Sequence, residues 1–381
     1  MKQIPMLDLK LEYNYMKNEI DSSIAKCLEH QQWILGPEVK ELESKINEYL
    51  GTEHCIGVSS GTDALVLSLR AMAIKLRGQE YFYPKDEIVT TSFTFTATGD
   101  AILRAKAKPV FIDIEKDTFN IDPIKLRKYL KNHDKVVGII PVHLYGQSCN
   151  MDEIMAIANE YNLFVVEDVA QAFGSMWNNK KLGSLGTTGA FSFFPSKNLG
   201  SYGDAGMVAT NDDTIAELVR ILMKHGGKDK YNVDHIGYNA RLDTIQAAIL
   251  LAKIKYIDEF NERRRKIAEF YSENLKRIKE IKLPKSLPGV YHVYHQYTIR
   301  ILNGKRDELQ KYLKEQGIVT MVYYPIPLHK MKVFEGKMKV AGKQKVSEKA
   351  CEEVLSLPVE PLINEDELKV VVETIRAFFK E

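Results

Sequence analysis

The chain has 381 residues, with 53 lysines and arginines against 51 aspartates and glutamates, a formal charge of +2. That balance argues against a chain built around a nucleic-acid backbone, which would carry a concentrated basic excess. At ~150 residues per domain the length implies more than one core, and 45% hydrophobic with 27% charged residues fits a globular chain, not a disordered or membrane-embedded one.

The first residues, Met1 to Pro5, run straight into charged positions without an apolar leader core, and ~18 consecutive apolar residues occur nowhere. A cytoplasmic protein is expected. Val39, Leu42, Ile46 and Tyr49 step by three and four, which predicts a helix. A short strand at 55–58 leads through Ser59, Ser60, Gly61 and Thr62 into a helix at 63–75. Apolar bursts of strand length follow at 87–91, 108–112, 136–140 and 163–167, separated by helical stretches at 94–104, 123–130 and 152–161. Fully apolar strands alternating with helices predict a mostly parallel sheet covered on both faces. The stretch 76–84 receives no role. Beyond residue 250 the pattern changes to long charged helices (242–277), a strand (293–301), a helix (306–316), a strand (318–323) and a closing helix (365–380). The expected division is a large unit, 1–250, and a smaller α+β unit, 251–381. The run Arg263 to Lys266 reads as a solvated helix face paired with Asp258, Glu259, Glu262 and Glu269.

The four cysteines, 27, 55, 149 and 351, form no CxxC pair and read as thiols of a reducing compartment. His292 and His295 lie three apart with no third ligand, and no metal is expected. Three polar clusters at strand ends remain. In 59–63, Gly61 lets the backbone approach a ligand and the first helical N–H groups face an anion, although Ser60 or Thr62 equally serves as a plain helix cap. The strand at 163–167 runs into Glu167 and Asp168, two acids that are costly to bury without a cation, or else one caps a helix. In Ser192 to Gly200 an aromatic strand stops at a turn presenting Lys197, either a desolvated nucleophile or an exposed turn lysine. An anion cradle, a carboxylate and an amine together are what pyridoxal phosphate requires.

The segments Ser60-Gly-Thr-Asp-Ala-Leu65, Glu167-Asp-Val-Ala-Gln-Ala172, Ser192-Phe-Phe-Pro-Ser-Lys-Asn-Leu-Gly200 and Gly237-Tyr-Asn-Ala-Arg-Leu242 occur in this order. The chain resembles the DegT/StrS family of sugar-nucleotide aminotransferases, over nearly its full length. The resemblance implies the aspartate aminotransferase fold (fold type I): an α/β, mostly parallel, seven-stranded-type sheet covered by helices, with a smaller C-terminal α+β domain. It implies pyridoxal 5'-phosphate as cofactor, Lys197 as the Schiff-base lysine and proton carrier, and Asp168 as partner of the pyridine nitrogen. Phe95 would stack on the ring, Gln171 would contact a ring substituent, Ser192 with the backbone of Gly61 and Thr62 would hold the phosphate, and Asp63 would be a further cofactor-binding residue. Asn239 matches a residue reaching the phosphate from the neighbouring subunit, which implies a homodimer. Arg241, Tyr324 and His329 fall on the substrate side. The implied reaction transfers nitrogen from an amino acid, L-glutamate in most relatives, to C3 or C4 of a nucleotide-linked keto-sugar, with no nucleic-acid or membrane partner. Alternatives are a cyclitol-ketone aminotransferase, a dehydratase (whose lysine is replaced by histidine, unlike Lys197) and a regulatory protein without catalysis. Phe173 stands where many members carry histidine, Ala205 where glycine is common, and the role of His143 is open.

Overall fold

The computed structural model describes residues 3–229 and 231–380. Its strands are β1 (His54–Val58), β2 (Glu87–Thr91), β3 (Lys108–Ile112), β4 (Val136–Ile139), β5 (Phe164–Asp168), β6 (Met176–Trp177) and β7 (Lys180–Lys181). They continue with β8 (Thr188–Ser192), β9 (Gly206–Thr210), β10 (Ile281–Lys282), β11 (Val290–Tyr291), β12 (Tyr297–Ile301), β13 (Lys339–Ala341) and β14 (Val354–Leu357). Eight form one sheet in the order β1-β9-β8-β5-β4-β2-β3-β13. Only β9 runs against the others, pairing antiparallel with both β1 and β8. The expected seven strands become eight because Lys339–Ala341, late in the chain, adds in parallel to β3.

Both sheet faces are covered, so the strands are apolar throughout. Met207 and Ala209 enter one core with Val39, Leu42 and Ile46 of the helix Pro37–Leu50. Val208, between them, enters the opposite core with Leu65 and Leu69 of the helix Gly61–Arg77. That helix stops at Gly78, whose φ of +63° is readily accessible only without a Cβ.

A second, antiparallel sheet, β10-β12-β14, packs with the helices Arg306–Glu315 and Glu365–Phe379 around Ile299, Leu309, Leu313 and Val371. Ile4 inserts into this core, while Met16 and Ile20 pack on Ile249 and Phe260. The helix Thr244–Lys253 runs across the 250/251 boundary. The strand expected at 293–301 begins only at Tyr297. The stretch expected as a strand at 318–323 makes only isolated bridges, Ile4 to Ile318 and Met321 to Ser356 of β14, too few consecutive pairs to build a ladder. The basic run is not wholly solvated: Arg263 pairs with Glu259 at 2.7 Å, but Arg264 is 4% exposed.

Candidate active site

The carboxyl ends of β1, β2, β4, β5 and β8 point the same way, and the segments that leave them line one cavity of about 520 Å³, the usual position and size of a ligand site on an open parallel sheet. Asp168 is the last residue of β5 and is 6% exposed. Thr98 Oγ1 donates to its Oδ2 at 2.8 Å and the Ala170 N–H to its Oδ1 at 3.2 Å. Burial pushes its carboxyl above the usual range; Thr98, Ala170 and the Lys197 charge oppose that. The neighbouring Glu167 faces away from the cavity, accepting the N–H groups of Gly183, Leu185 and Gly186 at 2.7–2.9 Å and His143 Nε2 at 3.1 Å. His143 Nδ1 accepts the Cys149 N–H at 3.1 Å, so both ring nitrogens are committed to the fold.

Lys197 lies in the turn after β8, its N–H bonded to Phe194 O at 2.8 Å. Burial lowers its amine to about 8, against the pull of Asp168. Lowered this far, the amine holds a much larger uncharged, nucleophilic fraction near neutral pH than an ordinary lysine does.

The helix Gly61–Arg77 opens onto the same cavity. Ser60 caps it by accepting the Asp63 N–H at 3.0 Å, leaving the N–H groups of Gly61 and Thr62 as the first free donors. A Cβ on Gly61 would sit 2.5 Å from Ser192 Cβ, and one on Gly206 would sit 2.4 Å from the Ser60 carbonyl. Both glycines let the helix end seat against β8 and β9, so backbone donors and the Ser192 hydroxyl converge. Phe95 is 56% exposed although it lines the cavity, with its ring 6.3 Å from that of Tyr324. Gln171 is held between the Tyr145 N–H, which donates to Oε1 at 2.9 Å, and Tyr324 OH, which accepts from Nε2 at 2.8 Å.

Gly61, Thr62, Phe95, Asp168, Gln171, Ser192, Lys197 and Tyr324 therefore share one cavity. The other four candidates lie elsewhere in this chain. Asp63 accepts the Ser59 and Ser60 hydroxyls at the cap. Arg241 donates to Asn239 Oδ1, outside the cavity. His329 Nε2 pairs with Glu348 at 3.0 Å. Sequence reasoning missed Thr98, His295 and Gln296, which line the site. Thr98 falls among similar residues in Thr94-Phe-Thr-Ala-Thr98, and His295 and Gln296 come from the far segment ahead of β12.

The donor set fits pyridoxal phosphate: converging N–H groups and a hydroxyl for its phosphate, an exposed aromatic face for its ring, a buried carboxylate for its nitrogen and an amine for its aldehyde. The sheet and this site define the class of pyridoxal-phosphate-dependent transferases. Residues 14–376 match the model of the DegT/DnrJ/EryC1/StrS aminotransferase family, and the chain belongs to that family. It is 47% identical over 379 residues to a pleiotropic regulatory protein of Geobacillus stearothermophilus, covering 99% of each chain. It is 40% identical to the UDP-2-acetamido-2-deoxy-3-oxo-D-glucuronate aminotransferase of Pseudomonas aeruginosa, covering 97% of this chain and 98% of that one. Among solved structures, Bacillus subtilis NtdA with bound cofactor PMP superposes with a TM-score of 0.89 at 31% identity, covering all of this chain and 86% of that one. The fold and cofactor expectations hold.

Proposed function

We propose that this chain transfers an amino group from L-glutamate to C3 or C4 of a nucleotide-linked keto-sugar. The observation that carries the reading is Lys197, an amine near neutrality in the same cavity as the buried Asp168. When bound, the cofactor supplies an electrophilic carbonyl and an electron-withdrawing ring. In this proposal Asp168, ionised, holds the proton on the ring nitrogen, Phe95 covers one ring face, and Gly61, Thr62 and Ser192 hold the phosphate. Lys197 provides the covalent anchor and carries the proton at the reacting carbon. Tyr324 fixes Gln171 against the cavity wall. The 3-oxo sugar in the Pseudomonas relative's name supports a keto-sugar acceptor and amination at C3.

The proposed enzyme is a homodimer. Among the described residues, Lys197 is the only lysine or arginine lining the cavity, beside Asp168 and Asp204. Phosphate and carboxylate groups of the ligands call for further cations and donors. A second copy supplies them in this reading, with Asn239 reaching the phosphate, and Arg241 and His329 on the substrate side. The segment before Asn239 also exposes Val233 and Ile236, 54% and 60%. A cytoplasmic location is part of the reading, supported by four buried cysteines that form no disulfide; among the described residues no helix is long and apolar enough to cross a membrane.

The regulatory name of the 47% relative favours a second reading, a cofactor-binding regulator without turnover; Lys197 and Asp168 in one cavity count against it. Absorbance separates the two. The purified protein should absorb near ~420 nm and shift toward ~330 nm with L-glutamate, as this cofactor does in general. Lys197→Ala should abolish both the ~420 nm band and product formation. A band that no amino acid alters would overturn the aminotransferase reading.

A further inference from the structure

One wall of the cavity, His295 and Gln296, is used by none of the roles above. His295 is 8% exposed, and its Nδ1 lies 2.9 Å from Asn198 Oδ1. The Asn198 amide is oriented by its own donations, to Asn261 Oδ1 at 2.7 Å and Val293 O at 3.3 Å. Asn261 is oriented in turn by donating to Phe173 O at 3.2 Å. Asn198 Oδ1 is therefore an acceptor, Nδ1 carries the ring proton, and Nε2, which makes no hydrogen bond among the described residues, is a free acceptor on a residue that lines the cavity. Next in the chain, Gln296 Oε1 is buried without a partner among the described residues.

These two acceptors lack donors, and the opposite deficit occurs in the same cavity. The Lys197 ammonium carries three donors but makes no side-chain hydrogen bond among the described residues, and both Asp168 oxygens already accept from Thr98 and Ala170. The charged groups around the ring are Lys197, Arg264 of the helix Ile257–Leu275, and Asp168 and Asp204 across the cavity. Burial with Lys197 and Arg264 keeps His295 well below the usual imidazole range, so it stays a neutral acceptor.

We propose that His295 is a positioning residue for Lys197: its Nε2 lone pair, with Gln296 Oε1 beside it, receives the lysine amine whenever that amine is not bonded to the cofactor. The amine must leave the cofactor and return during each transfer, and a fixed acceptor keeps it oriented meanwhile. The Asn198–Asn261–Phe173 relay sets which ring nitrogen faces the lysine. The inference rests on the proposed amine chemistry of Lys197.

The test uses the full chain without cofactor, labelled with 15N-histidine, and His295 assigned by His295→Gln. The expected ring is protonated at Nδ1 and bare at Nε2 from pH 6 to 9, with an Nε2 resonance that moves in Lys197→Ala. In parallel, pulses of acetic anhydride with peptide mass spectrometry titrate Lys197. Losing the acceptor disfavours the ammonium, so His295→Phe should lower the midpoint by about one pH unit, and His295→Gln, which keeps an acceptor, should restore it. An Nε2-protonated ring, a resonance indifferent to Lys197→Ala, or an unchanged midpoint in a folded His295→Phe would overturn the proposal. Where His295→Phe does not fold, the Lys197→Ala spectrum decides. A chain that never captures pyridoxal phosphate would instead sink the functional reading, and both readouts here are independent of that capture.

Discussion

At the residue scale, Thr98 has the clearest measurable consequence. Its hydroxyl is one of the bonds that keep the buried Asp168 ionisable. Burial raises the Asp168 pKa, and the carboxylate is the working form, so activity falls as pH drops through that pKa. Thr98→Val removes a stabiliser of the charged form and raises the pKa further. The acid limb of kcat/KM should move to higher pH by about one unit, with the alkaline limb in place; an unmoved acid limb would separate Thr98 from Asp168. Asp168, Ser192 and Lys197 were legible in the sequence because each is a polar interruption at the end of an apolar run. Thr98 and His295 were not, because each becomes important only through a partner far along the chain. Asp63 shows the converse: its position in the motif is right, but its side chain is engaged by Ser59 and Ser60.

At the element scale, the stretch at 76–84, without a role in sequence, proves to hold the Asn239 segment. Arg70, a fully buried side chain, donates to Tyr238 OH at 2.7 Å, to Ile236 O at 2.9 Å and to Glu80 Oε2 at 2.6 Å. Glu80 Oε1 lies 2.7 Å from His235 Nδ1. The guanidinium also stacks on Tyr81, 4.0 Å from its ring centroid. Glu80→Ala strands a buried cation and should cost about 3 kcal/mol in denaturant unfolding. Arg70→Met combined with Glu80→Gln removes both charges and should cost less than Glu80→Ala alone; a larger loss in the double variant would show that the ion pair is not what holds the clamp. Long elements were legible: the helix predicted at 123–130 is observed as Pro123–Leu130. Short ones were not. Lys339–Ala341 is three residues, too few to display a period, and its place in the sheet depends on β3. The apolar run at 318–323 has strand composition but meets β14 at a single bridge, Met321 to Ser356, and composition alone does not show how far pairing extends.

At the scale of the whole molecule, a charge of +2 on 381 residues gave no sign of anion binding, because the donors concentrate at one helix end and around one cavity. Dimer formation is tested by mixing inactive chains. Lys197→Ala and Asn239→Ala should each be nearly inactive. Co-refolded in equal amounts, they form half hybrids, and each hybrid has one site with Lys197 and Asn239 both intact, so about a quarter of wild-type activity should return. No recovery would place both residues of a site in one chain. The eighth strand also bears on how this molecule is made. β13 is short, begins with a lysine paired to Glu87, and covers β3, whose Val110, Phe111 and Ile112 are fully buried, the kind of guard that keeps a sheet from pairing with a stranger. During synthesis that guard follows β3 by more than 220 residues, so until residues 339–341 emerge the β3 edge is an open template.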